Sequence, residues 1–252
     1  MDPILLAIII VLSVIFIVSL VARMIKDHST RISTKFSFKE LEIDRSMMDY
    51  ARVLLDENGL EDVQVVQCGF FSSMFVGNTY KLKTKTIRLS PWVAKKSNVT
   101  NLARVASLVA LAKFHSEEKT KGLKAIELDR WLSWLPALFI PLVVVGLTID
   151  FAAVGAGTYI YTLIFSCVGL ALTIISLVFS LTAIRTLNKS YQEGENMLID
   201  MQIIAPEEEK YIKKIYSAWK RYNYVKAFES VFEAIYFGLS AVLSLIKIGG
   251  KK

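Results

Sequence analysis

NVTNLARVASLVALAKFH, residues 98 to 115, is the stretch of this chain on which its fold depends. Its long apolar run predicts a buried helix that begins near Asn98 and ends near Phe114. A β-hairpin pattern precedes this stretch, and a segment apolar enough to cross a bilayer follows it. The class and function of the protein therefore have to be inferred from the sequence on either side of this helix.

The composition is that of a membrane protein. Hydrophobic residues make up 54% of the 252 positions, and the mean hydropathy is +0.45. A run of about 20 apolar residues is long enough to span a bilayer. Four such segments are predicted, at residues 3–24, 131–149, 158–184 and 228–248. Glu229 and Glu233 lie near the start of the last one, which leaves open whether it spans the bilayer or lies in the interface.

The distribution of positive charge predicts the orientation. The chain carries a net charge of +7 and 30 lysines and arginines, of which 18 lie in residues 26–130 and eight in residues 185–226. Loops rich in lysine and arginine stay on the cytoplasmic side. We therefore expect a multi-pass protein of the cell membrane with most of its soluble part in the cytoplasm, and no binding of nucleic acid.

The section between the first two predicted spans has the pattern of a small α+β fold. Its predicted order is a helix over residues 36–56, a stop at Asn58-Gly59, a strand near residues 63–68, and a hairpin over residues 80–89. The hairpin turn is expected between Leu82 and Ile87, where the alternation slips. Ser90-Pro91 has the cap and first-turn residues of a further short helix before Asn98.

The predicted fold class is an α-helical membrane protein with about four transmembrane helices and this small α+β section. Five sections follow from the pattern. They are an anchor (1–25), a cytoplasmic α+β section (26–130), a transmembrane helical hairpin (131–185), a cytoplasmic helical section (186–226), and a fourth membrane segment with the tail (227–252). Asp150 to Gly157 is predicted as a turn, and a helix is expected to begin near Pro206. Gly146, Gly155, Gly157 and Gly169 favour close helix packing within the membrane.

Few residues are candidates for catalysis, metal binding or disulfide formation. Cys68 and Cys167 show neither a disulfide framework nor metal-ligand spacing. His28 and His115 are the two histidines. The position of His115 near a helix end favours a surface or interface role over a catalytic one.

Two stretches of the chain are similar to segments of a known protein family. Residues 53–66, VLLDENGLEDVQVV, and residues 77–90, GNTYKLKTKTIRLS, are similar to the leading helix and the hairpin of the membrane-bound neutral zinc metallopeptidases. Tyr80 and residues 84–90 match the hairpin closely. Thr79 stands where the family has a histidine, and Lys81-Leu82 where it has aspartate and proline. The resemblance implies a zinc-peptidase-like arrangement of the soluble section.

The resemblance also implies where a metal site should be. The family's next helix carries H-E-x-x-H, in which two histidines bind zinc and the glutamate acts as general base. Here that motif falls on Ser107 to Leu111, so Ser107 and Leu111 replace the histidines and Leu108 replaces the base. Thr186 stands where the family has a distal glutamate ligand. We therefore expect no catalytic residue, no metal and no cofactor, and we expect these four vacated positions to lie together.

Three functions remain to be weighed. The first is an inactive zinc-peptidase homologue that serves as a scaffold or accessory subunit of a larger membrane complex, with the bilayer and other membrane subunits as partners. The alternative is an active membrane-bound peptidase whose catalytic residues are misaligned or unconventional. A transporter or channel component is least favoured, because the first three predicted spans have almost no polar residues for a path across the membrane.

Overall fold

The computed structural model describes residues 3–41, 45–154 and 160–249, which are mostly helical with a three-stranded sheet. The helices α1 to α9 are Pro3–Ser37, Met47–Glu57, Phe70–Val76, Pro91–Lys95, Val99–Ser116, Thr120–Leu132, Phe139–Ile149, Ile160–Asp200 and Pro206–Gly249. The strands β1 to β3 are Gln64–Gln67, Thr79–Lys81 and Thr86–Leu89. A 3₁₀ turn at Leu135–Leu138 precedes α7, and a π-helical turn at Asp150–Val154 follows it.

The sheet confirms the predicted hairpin. Its strand order is β1-β3-β2, with β1 parallel and β2 antiparallel to β3. Val65 and Tyr80 lie on either side of Ile87, which is fully buried. The turn falls between Leu82 and Thr86, where Lys85 adopts a positive φ of 44°. The slip in the apolar alternation was therefore the correct sign of the turn.

Short polar side chains begin the helices that surround the sheet. Ser90 caps α4, with Pro91 at its first position, and Asn98 caps α5 by accepting the amide hydrogen of Asn101 at 2.9 Å. These side chains satisfy amide groups that have no partner in a first helical turn. At the end of α2, Gly59 takes a positive φ of 67°, as the Asn58-Gly59 stop predicts.

The prediction of one helix over residues 36–56 is wrong. α1 runs to Ser37, and α2 begins only at Met47, with residues 42–44 outside the described ranges. The segment between them pairs with the chain before α5. The amide of Leu41 donates to the carbonyl of Ser97 at 3.2 Å, and that of Val99 donates to Lys39 at 3.1 Å. Contacts distant in sequence thus override a local helical pattern.

Other parts of the chain differ from their predictions in length or type. The charged stretch after His115 forms α6, and α8 continues to Asp200, well beyond the predicted end of the third span. α3 was not predicted at all. In the expected turn at Asp150 to Gly157, residues 150–154 are π-helical, while residues 155–157 and the predicted start of the third span at Thr158 lie outside the described ranges.

The chain divides into two compact units. Unit 1 comprises Met1–Lys26, Leu128–Leu181 and Asn223–Lys252, and unit 2 comprises Asp27–Glu127 and Thr182–Tyr222. The core of unit 2 surrounds α5, which buries most of its side chains together with those of α2, the sheet, α8 and α9. Its largest fully buried members include Met47, Leu54, Leu55, Ile87, Leu89, Leu102, Leu198, Ile212, Ile215 and Tyr216.

Unit 1 contains the apolar helices. Among the described residues, three helical segments are long and apolar enough to cross a membrane, Ile9–Ser37, Thr120–Ala152 and Ile160–Asp200. In the first of them only 6% of the apolar window is buried inside the protein. Apolar side chains that face outward along a whole helix suit lipid as their surroundings. These helices identify a membrane protein, and the fourth span at residues 228–248 stays a prediction.

Within unit 1 the predicted close packing is confirmed at Gly146 and Gly169, whereas Gly155 and Gly157 lie outside the described residues. A Cβ atom added to Gly146 would lie 2.7 Å from Cα of Thr162, and one added to Gly169 would lie 2.7 Å from the ring of Phe139. The buried carboxylate of Asp150 accepts the amide hydrogen of Thr162 at 2.8 Å. It thereby satisfies an amide in the first turn of α8, a more specific role than ending a span.

Candidate functional site

The candidate site lies on α5, at the positions that the resemblance aligns with a zinc motif. Ser107 is 7% exposed, and Leu108 and Leu111 are each 6% exposed. Ser107 and Leu111 are four residues apart and so share a face of the helix. The hydroxyl of Ser107 donates to the carbonyl of Arg104 at 2.8 Å. Its one polar hydrogen is therefore used within its own helix.

α8 closes tightly against this turn of α5 at Gly194. A Cβ atom added to Gly194 would lie 2.9 Å from the carbonyl carbon of Ala106 and 3.0 Å from the amide nitrogen of Ser107. Real Cβ atoms hardly ever approach backbone so closely, so glycine is needed here for the two helices to touch. Nearby, Lys113 of α5 and Glu193 of α8 form an ion pair at 2.5 Å. Backbone packing, and not a cleft, thus adjoins Ser107.

α9 completes the packing through Tyr216. Its hydroxyl donates to the carbonyl of Ala103 at 2.7 Å, and its ring stacks on Tyr191 with centroids 5.2 Å apart. Burial raises the pKa of the Tyr216 phenol well above its ordinary value, since the charged form would lose its hydration. The phenol therefore stays neutral and acts as a fixed hydrogen-bond donor.

A cation lies beside these rings. The guanidinium of Arg104 sits 5.4 Å from the ring centroid of Trp219, which also contacts Tyr216 edge-on at 5.7 Å. Burial lowers the pKa of Arg104, and the neighbouring Tyr191 partly opposes that effect. The sequence did not predict this cluster of Arg104, Tyr191, Tyr216 and Trp219, because residues 186–226 were identified only as a cytoplasmic helical section. The spacing of Tyr216 and Trp219, three apart on one helical face, was the available signal.

Thr186 occupies a different environment. It is half-buried on α8, and its hydroxyl donates to the carbonyl of Thr182 at 3.3 Å. Its close neighbour is Gly122 of α6, where an added Cβ atom would lie 3.2 Å from that of Thr186. Thr186 precedes Gly194 by eight residues, which is about 12 Å along a helix. The structure brings Ser107, Leu108 and Leu111 together on α5, and the approach of Thr186 to them stays a prediction.

The hairpin residue that matches the family motif anchors the far end of α5. Tyr80 Oη lies 2.7 Å from Nδ1 of His115, and the two rings meet edge-on with centroids 5.8 Å apart. Burial, and secondarily the nearby charge of Asp62, raises the pKa of Tyr80 to about 12. His115 is half-buried in this contact. An interface role for His115 is therefore consistent with its position.

The donor chemistry of the four aligned positions does not fit a zinc ion. Two hydroxyls, each used within its own helix, and two leucines stand where zinc would need histidine nitrogens and a carboxylate. Within residues 3–41, 45–154 and 160–249, no three His, Cys, Asp or Glu side chains are grouped closely enough to hold a metal ion. A zinc-dependent step cannot be derived from these residues.

Comparison with known proteins identifies a family all the same. No curated protein and no solved structure matches the chain. The model of a protein family described as "Putative neutral zinc metallopeptidase" matches residues 7–241. That range includes both hairpin strands, α5, and the stretch of α8 that carries Thr186 and Gly194. The chain belongs to this neutral zinc metallopeptidase family.

Proposed function

We propose that the protein is a catalytically inactive member of its family, retained in the membrane as a scaffold or accessory subunit of a larger assembly. The observation that carries the proposal is the closure of α8 on α5 at Gly194. A catalytic zinc site needs three protein ligands and a position open to water and substrate. At Ser107 the side chains lack ligand atoms suited to zinc, and the adjacent backbone is covered by another helix.

Energetics support the retention of the fold without the metal. A buried histidine or carboxylate needs a partner, because an unpaired polar group costs several kcal/mol in an apolar environment. Leu108 and Leu111 need none, and each adds apolar contacts within the core of unit 2. The soluble part can therefore stay folded and present its surface to other proteins without bound zinc.

We also propose four membrane spans with unit 2 on the cytoplasmic side. The three apolar segments and the clusters of lysine and arginine in residues 26–130 and 185–226 support this orientation. The fourth span would be the final part of α9. Near its start, Glu229 is neutralised by Lys26 of α1 at 2.5 Å, which lowers the cost of bringing that carboxylate close to lipid.

An active membrane peptidase is the second candidate, and membership of a peptidase family is the observation that favours it. Such an enzyme would need ligands other than those at the aligned positions. His115 is the histidine nearest the motif along the chain, and Tyr80 holds one of its ring nitrogens. This candidate predicts metal binding and cleavage, so it is separable from the first by direct measurement.

Native mass spectrometry after mild detergent extraction tests the scaffold role. The tagged protein, extracted from its own cells, should appear bound to a second subunit in fixed stoichiometry. The same protein expressed in a foreign host serves as the control and should appear without that subunit. A free monomer from its own membranes at every detergent concentration would contradict the proposal.

A further inference from the structure

The exposed apolar side chains of unit 2 are concentrated at one place. Phe70, Phe71 and Met74 of α3 are 55%, 77% and 71% exposed, and Trp92 of α4 is 65% exposed. Among the described residues of unit 2, the other exposed large apolar side chains are Phe38, at 82%, and Ile199, at 37%. We call Phe70, Phe71, Met74 and Trp92 the aromatic edge.

The sheet explains why α3 and α4, which carry these four side chains, begin at the same edge. β1 and β3 are parallel, and α3 and α4 follow their carboxyl ends, so both helices begin at the same edge. The amide of Cys68 donates to the carbonyl of Leu89 at 2.8 Å just before the two helices start. After α3, the side chain of Asn78 accepts the amide hydrogen of Ser90 at 2.7 Å. One hydrogen bond before α3 and one after it thus hold this helix to the chain that leads into α4.

The surroundings of the aromatic edge are basic. No aspartate or glutamate occurs in residues 63–116, the part of the sequence that contains α3 and α4. Lys95 and Lys96 are exposed in the turn after Trp92, and the ammonium of Lys96 lies 6.0 Å from the Trp92 ring centroid. A partner for this surface therefore has to offer an apolar interior next to negative charge.

We propose that the aromatic edge binds the surface of an anionic lipid bilayer. Aromatic and methionine side chains beside lysines suit the headgroup region, where apolar groups enter about 5–10 Å and cations meet lipid phosphates. Each lysine near an anionic surface contributes about 1 kcal/mol. The inference goes beyond the proposed function, because it depends on insertion in a membrane and not on the loss of catalysis.

Spin labelling of the reconstituted full-length protein tests the proposal. A nitroxide is attached at Met74→Cys in a background of Cys68→Ala and Cys167→Ser, in bilayers of phosphatidylcholine with or without phosphatidylglycerol. Bound to the anionic bilayer, the label becomes several-fold more accessible to oxygen than to a water-soluble nickel chelate. The double substitution Lys95→Glu/Lys96→Glu makes the label accessible to the nickel chelate again. The matched control, Glu57→Cys at an exposed position at the end of α2, stays accessible to the chelate in both bilayers.

Other occupants would give different results. The proposal is overturned if the label at position 74 has the same accessibility to oxygen and chelate as the Glu57→Cys label in both bilayers. Dipolar broadening between labels would instead assign the aromatic edge to contact with a second copy of the chain. Should labelling disturb the fold, brominated lipids provide a second measurement. These lipids should quench the tryptophan fluorescence of the unlabelled parent protein more strongly than that of the Trp92→Phe variant. Equal quenching of the two proteins overturns the proposal.

Discussion

At the scale of single residues, two other helices cover the turn of α5 at Ser107. Gly194 brings α8 onto the backbone of α5, and Tyr216 ties α9 to the carbonyl of Ala103. These contacts pack the turn of α5 at which we predict the vacated metal site. The same contacts should make this part of the protein sensitive to added volume.

Substitution of Gly194 by alanine should lower the free energy of unfolding by about 1 kcal/mol, the middle of the difference between the two opposing effects. Alanine favours a helix over glycine by about 1 kcal/mol, but overpacking costs about 1–3 kcal/mol where backbone has to move. The added methyl would meet Ala106 and Tyr216 at 2.9 Å. Thermal unfolding in detergent measures the difference.

Gly69→Ala is the matched control, because an added Cβ atom there meets nothing within 4 Å. Its free energy of unfolding should change by less than about 0.5 kcal/mol, as is usual for surface substitutions. A Gly194→Ala protein as stable as the parent would show that α8 has room to withdraw from α5.

Tyr80 should make stability depend on pH in the alkaline range. The pKa of Tyr80 is about 12 in the folded protein and 10.0 ordinarily, so the unfolded chain releases the proton first. The stabilisation is complete below pH 10 and is lost as pH rises from 10 towards 12, with a total on the order of 2 kcal/mol. Unfolding temperatures of the parent and of Tyr80→Phe, measured across this range, test the prediction.

The two stability curves should approach each other above pH 10 and cross before pH 12, because the parent loses about 2 kcal/mol there and exceeds Tyr80→Phe by only about 1 kcal/mol at neutral pH. At neutral pH, Tyr80→Phe lacks the contact with His115 and should be less stable by about 1 kcal/mol. Between pH 10 and 12 only the parent loses the Tyr80 contribution. Parallel curves over the whole range would mean that the phenol is not shielded from solvent.

The candidate site was predictable at the residue scale only in part. The apolar run around Ser107, Leu108 and Leu111 indicates burial, and the structure confirms it. The role of Gly194 could not be predicted, because nothing local distinguishes a glycine that touches another helix from one that does not. Tyr216 and Trp219 were missed because their charged neighbours hide a short apolar stripe on one face of α9.

At the scale of elements, the hairpin, α4 and α5 follow from local chemistry. Ser90, Pro91 and Asn98 have the side chains that begin helices, and the alternating residues of the hairpin face one core. The error at residues 36–56 has a non-local cause, since Leu41 and Lys39 pair with the chain before α5. α3 escaped prediction because seven residues show too little periodicity to identify a helix.

The pairing of α1 with α9 gives a prediction at this scale. Lys26 and Glu229 form a partly buried ion pair at 2.5 Å. Glu229→Gln and Lys26→Met should each lower stability by about 1 kcal/mol, and the double variant should lose less than the sum, because either change alone leaves one charge unpaired. Thermal unfolding of the four proteins in detergent measures the coupling.

Glu233→Gln is the control for this cycle, because Glu233 lies one turn further along α9 and is exposed. Its effect should stay within about 0.5 kcal/mol. Strictly additive losses from Lys26→Met and Glu229→Gln would mean that the two side chains do not interact in the protein's membrane environment.

At the scale of the whole molecule, the chain belongs to a zinc metallopeptidase family, and we propose that its site has lost the chemistry of that family. Hydropathy alone predicts the membrane class, and α1 and α8 confirm it as apolar helices long enough to span a bilayer. Composition says nothing of partners, since a scaffold is defined by its contacts with other proteins. The absence of suitable donor atoms at Ser107, Leu108 and Leu111 is the feature that most restricts what the protein can do.

Zinc content, measured together with proteolysis on the purified full-length protein, tests the central claim most directly. After incubation with zinc and removal of the excess, we expect far less than one bound zinc per chain. We also expect no chelator-sensitive cleavage of an unfolded protein substrate. One tightly bound zinc per chain, together with cleavage that is lost on chelation and restored by zinc, would contradict the account.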